Sequence, residues 1–295
     1  MTTVFPPRRI FIVPLAHGGA LCLGERPLVM GILNVTPDSF AERSPRLEPA
    51  AAVGAALRLE ADGADLIDIG GESTRPGAEP VPSDVERARI LPVLTALQGR
   101  LRIPISVDTC KADVARAAVD AGAALINDVS GLGRDPALAG VIAQTGAALV
   151  LTHTRGSSKT MDAEAVYGDV VAEVTAELRD SIRRAIDAGV PIGRLIVDPG
   201  LGFAKRPSHS YGVLARLAAL AAALGRPVLV GPSRKSFMRD EVGGRPAQER
   251  DWGTAAAVAA AVLAGAHIVR VHAVAEMTQV VRVSEEIRRA GLTLL

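Results

Sequence analysis

Eight short apolar runs rich in β-branched residues recur along this chain, at 28–33, 66–69, 104–108, 124–128, 147–151, 194–198, 227–230 and 267–271. Each is followed by a longer Ala/Leu/Arg/Glu segment of helical period, near 49–62, 84–98, 111–121, 136–144, 163–188, 209–223, 253–264 and 275–290. Parallel strands need a crossover between them, so strict strand–helix alternation implies a parallel sheet. Eight repeats point to an α/β fold closed into a single (β/α)8 TIM barrel. Residues 10–24 read as an N-terminal hairpin covering the barrel's N-terminal end. An open, doubly wound sheet normally carries a glycine-rich phosphate turn after its first strand. Here that turn is Asn34-Val35-Thr36-Pro37, which favours the barrel.

Boundary residues support the count. Ser83-Asp84-Val85-Glu86 has the spacing of a capping box, and Asp135-Pro136 offers an N-cap followed by proline at the first helical position. Gly63, Gly122, Gly146, Gly189, Gly225 and Gly265 each fall between a helix and the next strand, where a left-handed C-cap favours glycine. No stretch reads as a domain linker. The expectation is one domain over 1–295, with the barrel at about 28–292.

Composition narrows the function classes. Of the 295 residues, 48% are hydrophobic but only 3% aromatic, so the core must be built mainly from Ala, Val, Leu and Ile. A formal net charge of +1 gives no reason to expect nucleic acid or a membrane surface as partner. Cys22 and Cys110 are too few for a disulfide framework and suit a reducing compartment. Met1 to Arg9 makes a poor signal peptide. The longest apolar run, 255–266, has 12 residues where a bilayer span needs about 20. A soluble cytoplasmic protein is expected.

All strand C-termini of a parallel barrel open at one face, where active sites are built. Asp108, Asn127 and Asp198 end three of the strands, and two carboxylates with an amide can read the edge of a flat heterocycle. Arg270 and His272 flank Val271 and therefore share one face of the last strand. With Arg75 and Lys235 on other loops they make a local cationic site for phosphate or diphosphate. Asn34 and Asp38 could offer oxygens to a magnesium ion that also binds a leaving group. No His/Cys/Asp cluster has transition-metal spacing, and no serine sits in a nucleophile-elbow pattern. Phe203 and Pro76 suit the faces of an aromatic substrate. Cys110 reads as a small buried residue. His153, just past the fifth strand, reads equally as a satisfied structural side chain or a ligand.

These blocks carry a resemblance. Met30-Gly31-Ile32-Leu33-Asn34-Val35-Thr36-Pro37-Asp38-Ser39-Phe40 and Ile69-Gly70-Gly71-Glu72-Ser73-Thr74-Arg75-Pro76-Gly77 resemble the two long signatures of the dihydropteroate synthase family of pterin-binding barrels. Ser106-Val107-Asp108-Thr109, Asn127-Asp128, Asp198-Pro199-Gly200, Ser233-Arg234-Lys235-Ser236 and Arg270-Val271-His272 continue the match in order. The resemblance implies a transferase that condenses 6-hydroxymethyl-7,8-dihydropterin diphosphate with p-aminobenzoate. It places Asp108, Asn127, Asp198 and Lys235 around the pterin. Thr74, Arg75, Arg270, His272 and Asn34 fall around the diphosphate, with Mg²⁺ shared by Asn34. Phe203, Pro76 and Ser236 line the p-aminobenzoate slot. Lys235, Arg270, Asp108 and Asp198 are the expected catalytic residues, and a homodimer is expected. Two alternatives stay open: a methyltetrahydrofolate-type pterin-dependent methyltransferase, and a pterin-binding paralogue with altered or no synthase activity. The second draws on the segment 41–46, which lacks the family's glycine pair. Thr154, Arg155, Leu201, Ala204 and Ala273 also depart from the family's pattern.

Overall fold

The structure, a computed structural model, describes residues 5–36, 49–74 and 77–293. Asp38, the segment 41–46, Arg75 and Pro76 lie outside the described residues, so the roles expected of them have no geometry here.

The expected hairpin is formed by strands β1 (Phe11–Pro14) and β2 (Ala20–Leu23), paired antiparallel. All eight expected barrel strands are present: β3 (Leu28–Asn34), β4 (Leu66–Gly70), β5 (Ile105–Asp108), β6 (Leu125–Asp128), β7 (Ala148–Thr152), β8 (Leu195–Asp198), β9 (Leu229–Val230) and β10 (Ile268–Val271). They form one parallel sheet in the order β8-β7-β6-β5-β4-β3-β10-β9. A parallel bridge between Val197 and Val228, with the Val197 N–H donating to Pro227 O at 3.0 Å, joins the two ends and closes the ring.

Side-chain alternation divides the barrel interior into two storeys. The inward residues nearest the strand N-termini are aliphatic: Leu28, Met30, Leu66, Leu125, Ile196, Leu229 and Ile268. They pack in one buried cluster with Val13, Leu21 and Leu23 of the hairpin, which plugs that end of the barrel. Two residues further along, on the same inward face, stand Asp68, Asn127, Asp198 and Arg270. Outward residues such as Ile67, Ile69, Val107, Ile126, Leu149 and Leu195 pack against the helices. The lower storey is therefore an apolar core apart from the buried Ser106 of β5, and the upper storey is polar.

The helices are α1 (Pro49–Ala61), α2 (Ser83–Leu97), α3 (Ala112–Asp120), α4 (Leu138–Thr145), α5 (Val170–Asp187), α6 (Pro207–Ala215), α7 (Leu217–Leu224), α8 (Asp251–Leu263) and α9 (Val274–Thr293). The six inter-element glycines all have positive φ, from +59° to +105°, as their C-cap role requires. Several local expectations are corrected. The helix expected at 163–188 starts only at Val170, because Asp169 caps it by accepting from Val171 N at 2.9 Å and Ala172 N at 3.2 Å. The one expected at 209–223 is two helices, separated by Arg216 in a non-helical conformation. Ser83 is the first residue of α2, and no side-chain cap bond is made; the buried Glu86 turns instead to Lys111. The Asp135 carboxylate accepts from Ala137 N at 3.0 Å and from Ala112 N at 2.7 Å, so it also ties down the start of α3, while α4 begins at Leu138. Among the described residues no helix is long and apolar enough to cross a membrane.

Candidate functional site

Register places Asn34, Asp108 and Asn127 in one row. Asn34 of β3 is opposite Gly70 of β4, Gly70 is opposite Asp108 of β5, and Asp108 is opposite Asn127 of β6. Gly70 is the space in that row. A Cβ there would lie 3.6 Å from Asp108 Cβ and 3.7 Å from Asn34 Oδ1, so any longer side chain would intrude between the two.

Arg270 reaches across this row. Its Nε donates to Asp68 Oδ2 at 2.5 Å and its Nη2 to Asp108 Oδ2 at 2.9 Å. The same Asp68 oxygen accepts Asn127 Nδ2 at 2.9 Å. Asp68, Asn127 and Asp108 are all buried, at 0%, 2% and 7% exposure, whereas Arg270 keeps a partly open edge. Burial pushes the Asp108 carboxyl up, and the Arg270 guanidinium pulls it back. Two acceptors in this network are idle: Asn127 Oδ1 and Asp68 Oδ1 are both buried without a hydrogen-bond partner.

The other wall comes from β8 and the loops after β8 and β9. Asp198 Oδ1 accepts Gly200 N at 2.8 Å. A Cβ on Gly231 would stand 3.7 Å from Arg270 Cβ and 3.8 Å from Asp198 Oδ2, so absence of a side chain there leaves those two facing each other. Burial raises the Asp198 carboxyl, and Lys235 is the main charge opposing the rise. Lys235 donates to Leu201 O and holds its Nζ 4.1 Å from the centroid of the Phe203 ring. Burial lowers this lysine to about 8, against the attraction of Asp198. Ser233 fixes His272: its Oγ accepts the His272 N–H at 3.1 Å and lies 2.9 Å from Nδ1.

Asn34, Asp108, Asn127, Asp198, Phe203, Lys235, Arg270 and His272 thus lie at the C-terminal rim of the barrel. Thr74 lines a small cavity with Asp108, Glu72 and Arg134, so it borders the same rim. Ser236 follows Lys235 at the start of a 3-10 turn and is exposed. Sequence reasoning left several buried ionisable residues without a role, Asp68 and Lys205 among them. Asp68 was the inward neighbour of Leu66 and Gly70, a parity signal that could have found it. For Lys205 the sequence signal is only that it closely follows the Asp198-Pro199-Gly200 block in a rim loop; it is buried behind the β8 loop, beside His153. That histidine is a satisfied buried side chain, bonded on both ring nitrogens. Cys110 is buried and free, its thiol pushed up to about 11 by burial, in keeping with a packing role.

Among the described residues, no three His, Cys, Asp or Glu side chains gather as a metal site. Asn34 contributes a single neutral oxygen at the rim. Mg²⁺ commonly takes one or two protein oxygens and completes its shell from phosphate and water, so this donor set suits an ion arriving with an anionic substrate.

Comparisons with known proteins agree with this geometry. A family model described as pterin binding enzyme matches residues 30–272. The chain is 42% identical over 290 residues to the dihydropteroate synthase of Synechocystis sp., covering 98% of both chains. It is similar to the crystal structure of Burkholderia cenocepacia dihydropteroate synthase complexed with 7,8-dihydropteroate, at TM-score 0.86 and 42% identity, covering 97% of this chain and 99% of that one. It is also similar to the Xanthomonas albilineans enzyme with 4-aminobenzoic acid, at TM-score 0.85 and 42% identity, covering 94% and 98%. With its barrel closed, its polar rim assembled and nearly its whole length matched at such identity, the chain belongs to the dihydropteroate synthase family of pterin-binding enzymes.

Proposed function

We propose that this chain condenses 6-hydroxymethyl-7,8-dihydropterin diphosphate with p-aminobenzoate, giving 7,8-dihydropteroate and diphosphate. The observation that carries the reading is the idle Asn127 Oδ1. A buried amide oxygen without a partner costs free energy, and its own Nδ2 is already committed to Asp68. An N–H on the edge of a planar heterocycle would satisfy it. Asp108 and Asp198 flank the same space and accept further ring N–H groups.

The reaction then follows from charge. The C–O bond at the pterin methylene breaks with its electron pair leaving on diphosphate, and Arg270, His272 and Lys235 stabilise the negative charge that develops. Asp108 and Asp198 offset positive charge spread into the ring. The arylamine nitrogen attacks the methylene carbon, forms the C–N bond and loses a proton. No enzyme nucleophile is needed. Thr74, Arg75, Pro76, Phe203 and Ser236 belong to the diphosphate and amine sides of the pocket in this reading.

Magnesium is part of the proposal, with Asn34 as its protein ligand; when bound, it supplies charge neutralisation at the diphosphate. So is a homodimer. Trp252 is 88% exposed on α8, and Val283 and Ile287, one turn apart on the adjacent α9, are 62% and 51% exposed. A cytoplasmic location is in keeping with two free thiols, one of them exposed. A methyl transfer from a reduced folate has no diphosphate to expel, so it gives no task to Lys235, Arg270 and His272 together.

The test supplies purified protein with the pterin diphosphate and labelled p-aminobenzoate, and follows labelled dihydropteroate and diphosphate. Both products should appear in equal amounts. Pterin binding without diphosphate release would overturn the proposal in favour of a non-synthase paralogue.

A further inference from the structure

Behind the pocket wall, on the outer side of β7 and β8, a chain of polar side chains runs from solvent to a buried amine. Glu177 of α5, 38% exposed, lies with Oε2 3.0 Å from His153 Nε2. The other ring nitrogen, His153 Nδ1, is 2.7 Å from Lys205 Nζ. Lys205 also donates to Phe203 O at 3.1 Å, and it is only 7% exposed. The Glu177 carboxylate can only accept, so the proton of the neutral ring sits on Nε2 and is donated to it, which leaves Nδ1 to accept from the Lys205 amine. The ionisation pattern is consistent with this order. Burial lowers Lys205 well below its usual value and takes His153 down to about 4. For Glu177, burial is outweighed by hydrogen bonds from His153 and Arg155, which lower it to about 2.

What this chain holds is the loop after β8. The His153 N–H donates to Asp198 O at 2.9 Å, Phe203 N donates to Gly200 O at 3.0 Å, and the Tyr167 hydroxyl donates to Ala204 O at 2.9 Å. Between Phe203 and Lys205, Ala204 adopts φ +44°, a conformation that a residue with a Cβ keeps only when its surroundings impose it. Phe203 is gripped from both sides: Lys235 over its ring and Lys205 on its carbonyl.

We propose that Lys205, oriented by His153 and Glu177, is a positioning residue that sets the Phe203 ring as the amine-side wall of the pocket. It touches neither substrate. Its effect falls mainly on the amine side, because Asp108 and Asn127 are fixed through Arg270 and Asp68 and Asp198 through Gly200; of the pterin-side groups Lys235 alone shares the loop, through Leu201 O. This inference rests on the synthase reading for its choice of substrates.

Lys205→Met keeps the length of the side chain and removes its N–H donors. KM for p-aminobenzoate should rise on the order of tenfold, while KM for the pterin diphosphate changes by less than roughly twofold. A merely structural role would move both together. ¹⁵N NMR of the histidine rings gives a second readout. In the wild type the His153 signals should report an Nε2-protonated ring with an accepting Nδ1, and Lys205→Met should lose the accepting signature. Glu177→Gln, on the exposed end of the chain, should show the same selective rise in weaker form. Its selective rise carries the kinetic test if Lys205→Met does not fold. Equal rises in both KM values, an unchanged p-aminobenzoate KM in folded Lys205→Met or in Glu177→Gln, or a wild-type His153 protonated on Nδ1 would each overturn the inference. If wild-type protein makes no dihydropteroate, the synthase reading fails by itself, and the ring tautomer still tests the Lys205 clamp.

Discussion

Arg270 and Asp68, 202 positions apart in sequence, meet at the centre of the barrel mouth with Nε 2.5 Å from Oδ2. The contact orients the one guanidinium that also reaches Asp108, and the same carboxylate oxygen holds Asn127. Asp68 therefore orients two side chains assigned to substrate directly, and Asp108 through Arg270, although it was not among the residues expected at the site. Asp68→Ala leaves a buried guanidinium short of its partner, and breaking such a pair from one side costs about 3–5 kcal/mol. Urea denaturation should show that loss. Turnover, measured where the variant is folded, should fall by about 10²-fold or more because Arg270 and Asn127 lose their orientation. Near-wild-type turnover would remove Asp68 from the account.

Lys235 gives a pH signature. Burial lowers it to about 8, so the amine is charged below that pH and neutral above it. If the charge serves the reaction, kcat/KM should decline as pH rises through about 8 in the free enzyme. Lys235→Arg stays charged throughout and should lose this limb, with a lower plateau because a planar fork does not replace an ammonium. Persistence of the same limb in Lys235→Arg would assign it to another group.

The base of the barrel makes an independent prediction about acid stability. His267 is 3% exposed, with Val228 N donating to its Nδ1 at 3.1 Å and its Nε2 3.0 Å from Arg9 O. Burial lowers it to about 4 from its ordinary 6.5. A neutral folded imidazole that protonates in the unfolded chain contributes stability that is present above pH 6.5 and is lost as pH falls towards 4. The gap corresponds to about 3 kcal/mol at most. Unfolding free energies at pH 7 and pH 4.5 should fall further apart in wild type than in His267→Gln. Equal pH dependence in the two proteins would contradict the assignment.

The N-terminal strap is held by a buried ion pair. Arg8 Nη2 lies 2.8 Å from Glu285 Oε2 and 3.3 Å from Val262 O, with the two side chains 1% and 6% exposed. Glu285→Ala should cost about 3–5 kcal/mol, because the Arg8 guanidinium would be left buried and unpaired. Arg8→Met with Glu285→Leu, which replaces both charges by apolar groups, should recover part of that loss, the remainder lying with the buried Arg288 that also faces Glu285 at 3.9 Å. A single variant no less stable than the double one would show that the pair is not acting as drawn.

Much of the architecture was legible because it is written in periodicity. All eight barrel strands and the six left-handed glycines follow from apolar alternation and from backbone conformations that other residues avoid. Errors arose where a distant partner outbid a local one. Glu86 prefers Lys111 to its own helix start, and Asp135 reaches across to α3. The helix after β8 breaks at Arg216, a residue with no breaking tendency of its own. The site was legible where it ends strands: Asp108, Asn127, Asp198 and Arg270 gather as expected. It was not legible where function depends on depth, since nothing local in the sequence tells that Lys205 lies buried against His153 or that Asp68 carries two of the pocket's other side chains.

The central claim is that these scattered acids, amides and bases make one pterin pocket, and a crystal structure with a bound pterin tests it most directly. The ring should lie at the C-terminal mouth with an N–H on Asn127 Oδ1, its edge against Asp108 and Asp198, and Lys235 in contact. A pterin bound elsewhere, or one in the mouth that leaves Asn127 Oδ1 without a partner, would contradict the account.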